Sequence, residues 1–140
     1  MISINEMQAK LEAVLEKSKL NQLFKPGKIK IQETKQPYSV NIRLKLHNPY
    51  TFTGFEIVEK KSGLKFSVCH LKTMPKKMWL EILNLGGAQN NTCTRFDFPF
   101  EDAEKIAAEL FNICMNPKNV KLCSAQDYTP YKMLTEQTEE

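Results

Sequence analysis

An α+β fold, with an antiparallel sheet of about five strands and helices packed on one face, is predicted by three features of this 140-residue sequence. Apolar and polar residues alternate strictly in several short stretches, which is the period of a half-buried strand. Apolar residues recur at helical spacing in others. Turn residues separate the two kinds of segment. The resulting order is α-β-β-β-β-α-β-α.

The first helix is expected over residues 4–20. Ser3 and Glu6 have the spacing of a capping box, and Met7, Leu11, Val14 and Leu15 form its apolar stripe, which Ser18 continues. Leu23 and Phe24 are expected to hold its end on the core, and Lys25-Pro26-Gly27 to turn the chain. Residues 28–32 alternate, with Ile29 and Ile31 on one face. Residues 39–46 do the same with Val40, Ile42, Leu44 and Leu46. Gln36-Pro37 and His47-Asn48-Pro49-Tyr50 supply turns. Residues 51–59 read as a third strand, Lys60-Lys61-Ser62-Gly63 as a hairpin, and residues 64–70 as a fourth strand with Leu64, Phe66 and Val68 inward.

Thr73 caps the next expected helix, with Pro75 in its first turn, Met78, Trp79, Ile82 and Leu83 on its buried side, and Gly86-Gly87 ending it. Residues 88–91 read as a polar loop and residues 92–98 as a fifth strand with Thr94, Phe96 and Phe98 on one face. A helix is expected over residues 100–115, acidic in its first turn and striped by Ala103, Ile106, Ala107, Leu110 and Cys114. Asn116-Pro117 stops it, and residues 120–123 are expected to form a short strand. Residues 1–134 are thus read as one domain and residues 135–140 as a polar tail. Within the domain, residues 128–134 are expected to dock back on it, the alternative being a partner-binding arm.

The totals fit a chain that buries its own core. Hydrophobic residues are 41% and charged residues 26%, which is a globular rather than a disordered composition. No apolar run reaches the roughly 18 residues that cross a bilayer, so no membrane partner is expected. Residues 1–10 lack a basic stretch followed by an apolar run, which predicts a cytoplasmic protein. The four cysteines, Cys69, Cys93, Cys114 and Cys123, share no repeated spacing and read as reduced thiols.

Charge is uneven. Residues 17–80 hold 14 Lys and Arg against Glu33, Glu56 and Glu59, a net of +11 inside a chain of net +4. Strand alternation gathers Lys28, Lys30, Arg43, Lys45 and Lys65 on the outward sheet face, with Glu56 the one acid expected near them. Such a face neutralises phosphates and releases counterions, and Tyr38, Tyr50 and Phe52 lie close enough in sequence to stack bases. The competing reading is a solvated face whose lysines discourage edge pairing.

No chemistry is indicated elsewhere. Cys69 and His70 are adjacent, while His47 and Cys93 are distant, and no pair has the spacing of a zinc site. Neither a metal nor another cofactor is expected. Gly86-Gly87 follows a helix, so it is not a phosphate-binding loop. Strands followed by Met74-Pro75-Lys76-Lys77-Met78-Trp79-Leu80-Glu81-Ile82-Leu83 are similar in outline to sheet-based single-strand binders of the Whirly kind. The helix and strand order is also similar to that of small secretion chaperones. Both likenesses are of topology without a shared motif, and they assign no family.

The sequence therefore predicts a non-enzymatic binding or regulatory protein. The leading expectation is nucleic acid held on the basic sheet face by Lys28, Lys30, Arg43, Lys45 and Lys65. The alternative is a protein-binding module (an inhibitor, an immunity protein or a secretion-type chaperone) that uses a sheet edge or a helix face, with a homodimer among the possible assemblies.

Overall fold

The computed structural model describes residues 3–22, 29–32, 39–43, 52–70, 74–91 and 94–124. Helix α1 (Ile4–Lys17) begins where Ser3 accepts a 3.1 Å hydrogen bond from the Glu6 amide. Its stripe of Met7, Leu11, Val14 and Leu15 is buried against strands β2 (Ser39–Arg43) and β3 (Phe52–Lys60). It ends earlier than the apolar pattern suggests. Lys19 adopts φ +66°, a left-handed conformation that helices favour at their ends, and a 3₁₀ turn follows at Leu20–Gln22. The Ser18 hydroxyl donates to the Leu15 carbonyl, so a polar residue is tolerated at a buried position.

Strands β1 (Ile29–Gln32), β2, β3 and β4 (Gly63–His70) form a meander. Strand β6 (Arg95–Pro99) adds beyond β4, and the two-residue β5 (Ala88–Gln89) closes that side, giving the order β1-β2-β3-β4-β6-β5, with every pair antiparallel. Residues 88–91, expected as a loop, thus include a strand. Gln89 has a reason to pair: its side chain accepts from Trp79 Nε1 at 2.8 Å and donates to the Arg95 carbonyl at 2.8 Å. Gly63 takes φ +117° in the β3–β4 hairpin, where a side chain would be strained.

Helix α2 (Lys76–Leu83) follows Pro75, which occupies the cap position without a side-chain cap bond; Thr73 lies outside the described residues. Gly86, at φ +93°, ends the segment as the left-handed residue that the sequence pattern called for. A 3₁₀ turn (Phe100–Asp102) leads into α3 (Ala103–Met115), whose buried residues are Ala103, Ile106, Ala107, Leu110 and Ile113. The core lies between one sheet face and α1, α2 and α3. It is built on Val40, Ile42, Phe55, Ile57, Phe66, Val68, Phe96 and Phe98 from the strands. Phe55 stacks on Phe66 with ring centroids 6.0 Å apart.

Residues 120–123 are not a strand. They belong to a fourth helix, α4 (Pro117–Ser124). Asn116-Pro117 does stop α3, since a residue before proline is pushed to extended backbone and Asn116 has ψ 124°. The same pair also starts a helix. Proline suits the first helical position, and the Asn116 side chain accepts from the Lys118 amide at 2.9 Å. Asn119 then anchors α4. It is fully buried, donates to Glu81 Oε1 and the Ile113 carbonyl at 2.9 Å each, and accepts from Lys77 Nζ at 3.1 Å.

Candidate binding face of the sheet

Antiparallel register places directly opposed residues on the same face, so the side of the sheet away from the helices can be read strand by strand. One row runs Lys30, Asn41, Glu56, Ser67, Asp97, Ala88 across all six strands. The row on one side of it runs Arg43, Gly54, Cys69, Arg95, and the row on the other runs Gln32, Ser39, Val58, Lys65, Pro99.

Lys30, Arg43 and Lys65 therefore hold positions of one parity. Lys28 and Lys45 lie outside the described residues, as do the side chains of Lys30 and Arg43. Strand spacings put the Lys65 position roughly 16 Å from those of Lys30 and Arg43. The polar row crosses the gap between Lys65 and Arg43. It carries Asp97 as well as Glu56, so Glu56 is not the one acid near the basic positions.

These two carboxylates are well enclosed. The Glu56 side chain is 11% exposed and that of Asp97 15%, while Ser67 is fully buried, Val58 is 3% exposed and Asn41 8%. A face that lay open to solvent would leave such residues far more accessible. Buried carboxylates need partners. Asp97 Oδ2 accepts from Lys60 Nζ at 3.1 Å, and Oδ1 accepts from the Ser67 hydroxyl. Arg95 bridges the two acids: Nη1 donates to Glu56 Oε1 at 3.3 Å, and Nε lies 3.1 Å from Asp97 Oδ1 without the alignment of a hydrogen bond. Asn41 Nδ2 donates to Glu56 Oε2 at 3.4 Å, which leaves Asn41 Oδ1 buried with no donor.

Burial pushes the Glu56 carboxyl above its ordinary value of 4.5; Arg95 and Asn41 pull it partly back, Asp97 adds to the rise, and Lys60 opposes it. The side chains of Glu56, Asp97, Arg95 and Lys60 carry two negative and two positive charges, and Lys30 holds the end position of the same row. A phosphate meeting this part of the face would meet two carboxylates along with their cations.

Beside Glu56 the sheet surface has a hollow of about 110 Å³ lined by Asn41, Ile42, Thr53, Gly54, Phe55, Glu56 and Cys69. Its origin is local. Gly54 has no side chain to fill its place in the row, and the β3–β4 register shifts between Phe52 and Gly54.

Cys69 and His70 do not form a nucleophile and base. Neighbours on a strand point to opposite faces. Cys69 is half-buried in the row of Gly54 and Arg95, whereas His70 is 2% exposed in the core layer, its ring 5.1 Å from that of Phe96. His47 and Cys93 lie outside the described residues. Among the described residues, no group of three or more His, Cys, Asp and Glu is arranged to hold a metal ion. No helix among them is long and apolar enough to cross a membrane.

A second surface was invisible to the alternation argument. Among the described residues, the large apolar side chains that are exposed are Met115 (52%), Val120 (49%) and Leu122 (41%). All three belong to the corner where α3 meets α4, with Lys118 and Lys121 exposed beside them. Its signal in the sequence is Asn116-Pro117, which stops α3 and also starts α4. Compared with known protein families, with curated proteins and with solved structures, the chain matches none.

Proposed function

We propose that this chain is a non-enzymatic binding module that engages a protein partner at the α3–α4 corner. The carrying observation is the concentration of exposed apolar side chains there. Single exposed hydrophobics are normal on any protein surface, but Met115, Val120 and Leu122 fall within eight consecutive residues, with Val120 and Leu122 on different sides of α4, while the rest of the described surface has none. The corner is also held in place. Asn119 ties α4 to α2 and to the end of α3 through three hydrogen bonds, so the surface is preorganised. Lys118, exposed beside the apolar side chains, favours a partner with an acidic residue next to an apolar anchor.

The test uses the full chain, immobilised, against extract from its source cells treated with nuclease. A stoichiometric protein partner retained by the wild type and lost by the triple variant Met115→Ser, Val120→Ser, Leu122→Ser is the expected result. Retention by the folded triple variant, or a bound fraction that nuclease removes, would sink the reading.

The shared parity of Lys30, Arg43 and Lys65 favours a second reading, in which nucleic acid binds the sheet face together with Lys28 and Lys45. It requires affinity for a random single-stranded oligonucleotide that falls steeply with salt. It also requires that Arg43→Glu with Lys45→Glu abolish this affinity. The first reading expects neither effect, and the buried carboxylates between the basic positions argue for that outcome.

A further inference from the structure

The hollow beside Glu56 has a chemistry that the α3–α4 corner does not use. Its volume of about 110 Å³ is well above the roughly 10–15 Å³ that one water needs, so a side-chain-sized group fits. Its polar wall is rich in acceptors. Asn41, 8% exposed, has its Nδ2 committed to Glu56, and its Oδ1 has no donor. Glu56, 9% exposed, receives two hydrogen bonds at 3.3 and 3.4 Å, longer than the roughly 2.7–2.9 Å of a well-made charge-assisted bond. Thr53 adds a hydroxyl that can turn either way. The nearest described cation, Arg95, is shared with Asp97, which in turn holds Lys60. Ile42 and Phe55 turn their side chains to the core and border the hollow only through their backbone, and Gly54 leaves room over the strand.

We propose that this hollow binds an alkylguanidinium or alkylammonium group, with Glu56 as its counter-ion and Asn41 Oδ1 as its hydrogen-bond acceptor. The group can come from a small molecule or from an arginine or lysine side chain of a polypeptide. The space over Gly54 admits a cation on a short stem: the stem lies over the Gly54 backbone, and the head reaches the carboxylate. Glu56 must be ionised to act, so affinity rises with pH through its titration.

Titration of the full ¹⁵N-labelled chain with ethylguanidinium tests this by amide shifts. Saturable shifts at Thr53, Gly54, Glu56 and Cys69 are expected, with the neutral isostere ethylurea at least about ten-fold weaker, which is about 1.4 kcal/mol. Gly54→Ala, which narrows the hollow, and Glu56→Gln, which keeps its shape and removes the charge, should each weaken binding by a similar factor. Glu56→Gln also removes the pH dependence, a readout that a purely structural role would not move. N-acetyl-arginine methylamide serves as the polypeptide arm. Binding at least as tight as ethylguanidinium assigns the site to a side chain, and weaker binding assigns it to a small molecule. Shifts that stay linear in ligand, or equal binding of ethylurea, overturn the proposal. So does binding that appears only in Arg43→Ala, because the Arg43 position is directly opposite Gly54 and that result would give the hollow to the chain's own guanidinium.

Discussion

Phe66 and Ser67 are neighbours on β4, both fully buried, and they face opposite sides of the same sheet. On the Phe66 side, burial is its own reward. Phe66 opposes Ile57 and Phe98, stacks on Phe55, and needs no particular partner, because the hydrophobic effect has no direction. On the Ser67 side every buried polar group must be answered by another at the right angle and distance. Ser67 needs Asp97, Asp97 needs Lys60 and Arg95, and Glu56 needs Arg95 and Asn41. The first face is robust and carries stability. The second is exacting, and any mismatch in it, such as the unanswered Asn41 Oδ1, marks a place where a ligand could contribute.

The comparison predicts where the largest loss lies. Phe66→Ala should destabilise the protein by about 3–5 kcal/mol, the usual result of deleting a buried aromatic ring and leaving a cavity. Urea unfolding followed by circular dichroism measures it. A loss below about 1 kcal/mol would mean that this face is not the core.

That face is also the part of the fold that could be read in advance. The inward positions of β2 and β4 follow from two-residue alternation, and those of α1 and α3 from helical spacing, because both are local properties of the chain. The order of β1 to β4 followed as well, since short turns make sequence neighbours into spatial ones. What could not be read was which strand flanks β4 on its other side. Arg95 and Asp97 visibly alternate with Phe96 and Phe98, so their face was legible. Their contact with Glu56 and Lys60 depends on a crossover through α2, and no local pattern encodes it. Three of the five basic positions share a face as alternation requires, yet the acid Asp97 arrived among them unannounced. The helix α4 was missed for a different reason: Asn116-Pro117 satisfies both the rule for ending a helix and the rule for starting one.

The second-largest effect belongs to the polar face. Asp97→Ala removes the acceptor of Ser67 and Lys60 and one counter-charge of Arg95 in a setting where the Asp97 side chain is only 15% exposed. A loss of about 2–3 kcal/mol is expected, because breaking a largely buried pair strands the remaining charges. Asp97→Asn should cost less, as it keeps the shape and one acceptor. If the alanine variant lost no more than an ordinary surface substitution, about 0.5 kcal/mol, the exacting character assigned to this face would be wrong.

The smallest effect is the most specific to the contrast, because it appears only as a dependence on pH. Glu56 has a folded-state value raised above 4.5 by burial. The native protein therefore holds its proton more tightly than the unfolded chain does. Stability from this group is fully present below the ordinary Glu value and declines as pH rises through the raised folded value. Glu56→Gln cannot titrate. The variant should match the wild type most closely under acidic conditions and gain on it as pH rises across that window. Parallel urea titrations of the two proteins over a pH series give the difference directly. A difference that stayed flat with pH, or ran the other way, would mean that Arg95 and Asn41 already compensate the carboxylate in full. The polar face would then be as self-sufficient as the apolar one, and the hollow beside it would have no unmet charge to offer a cation.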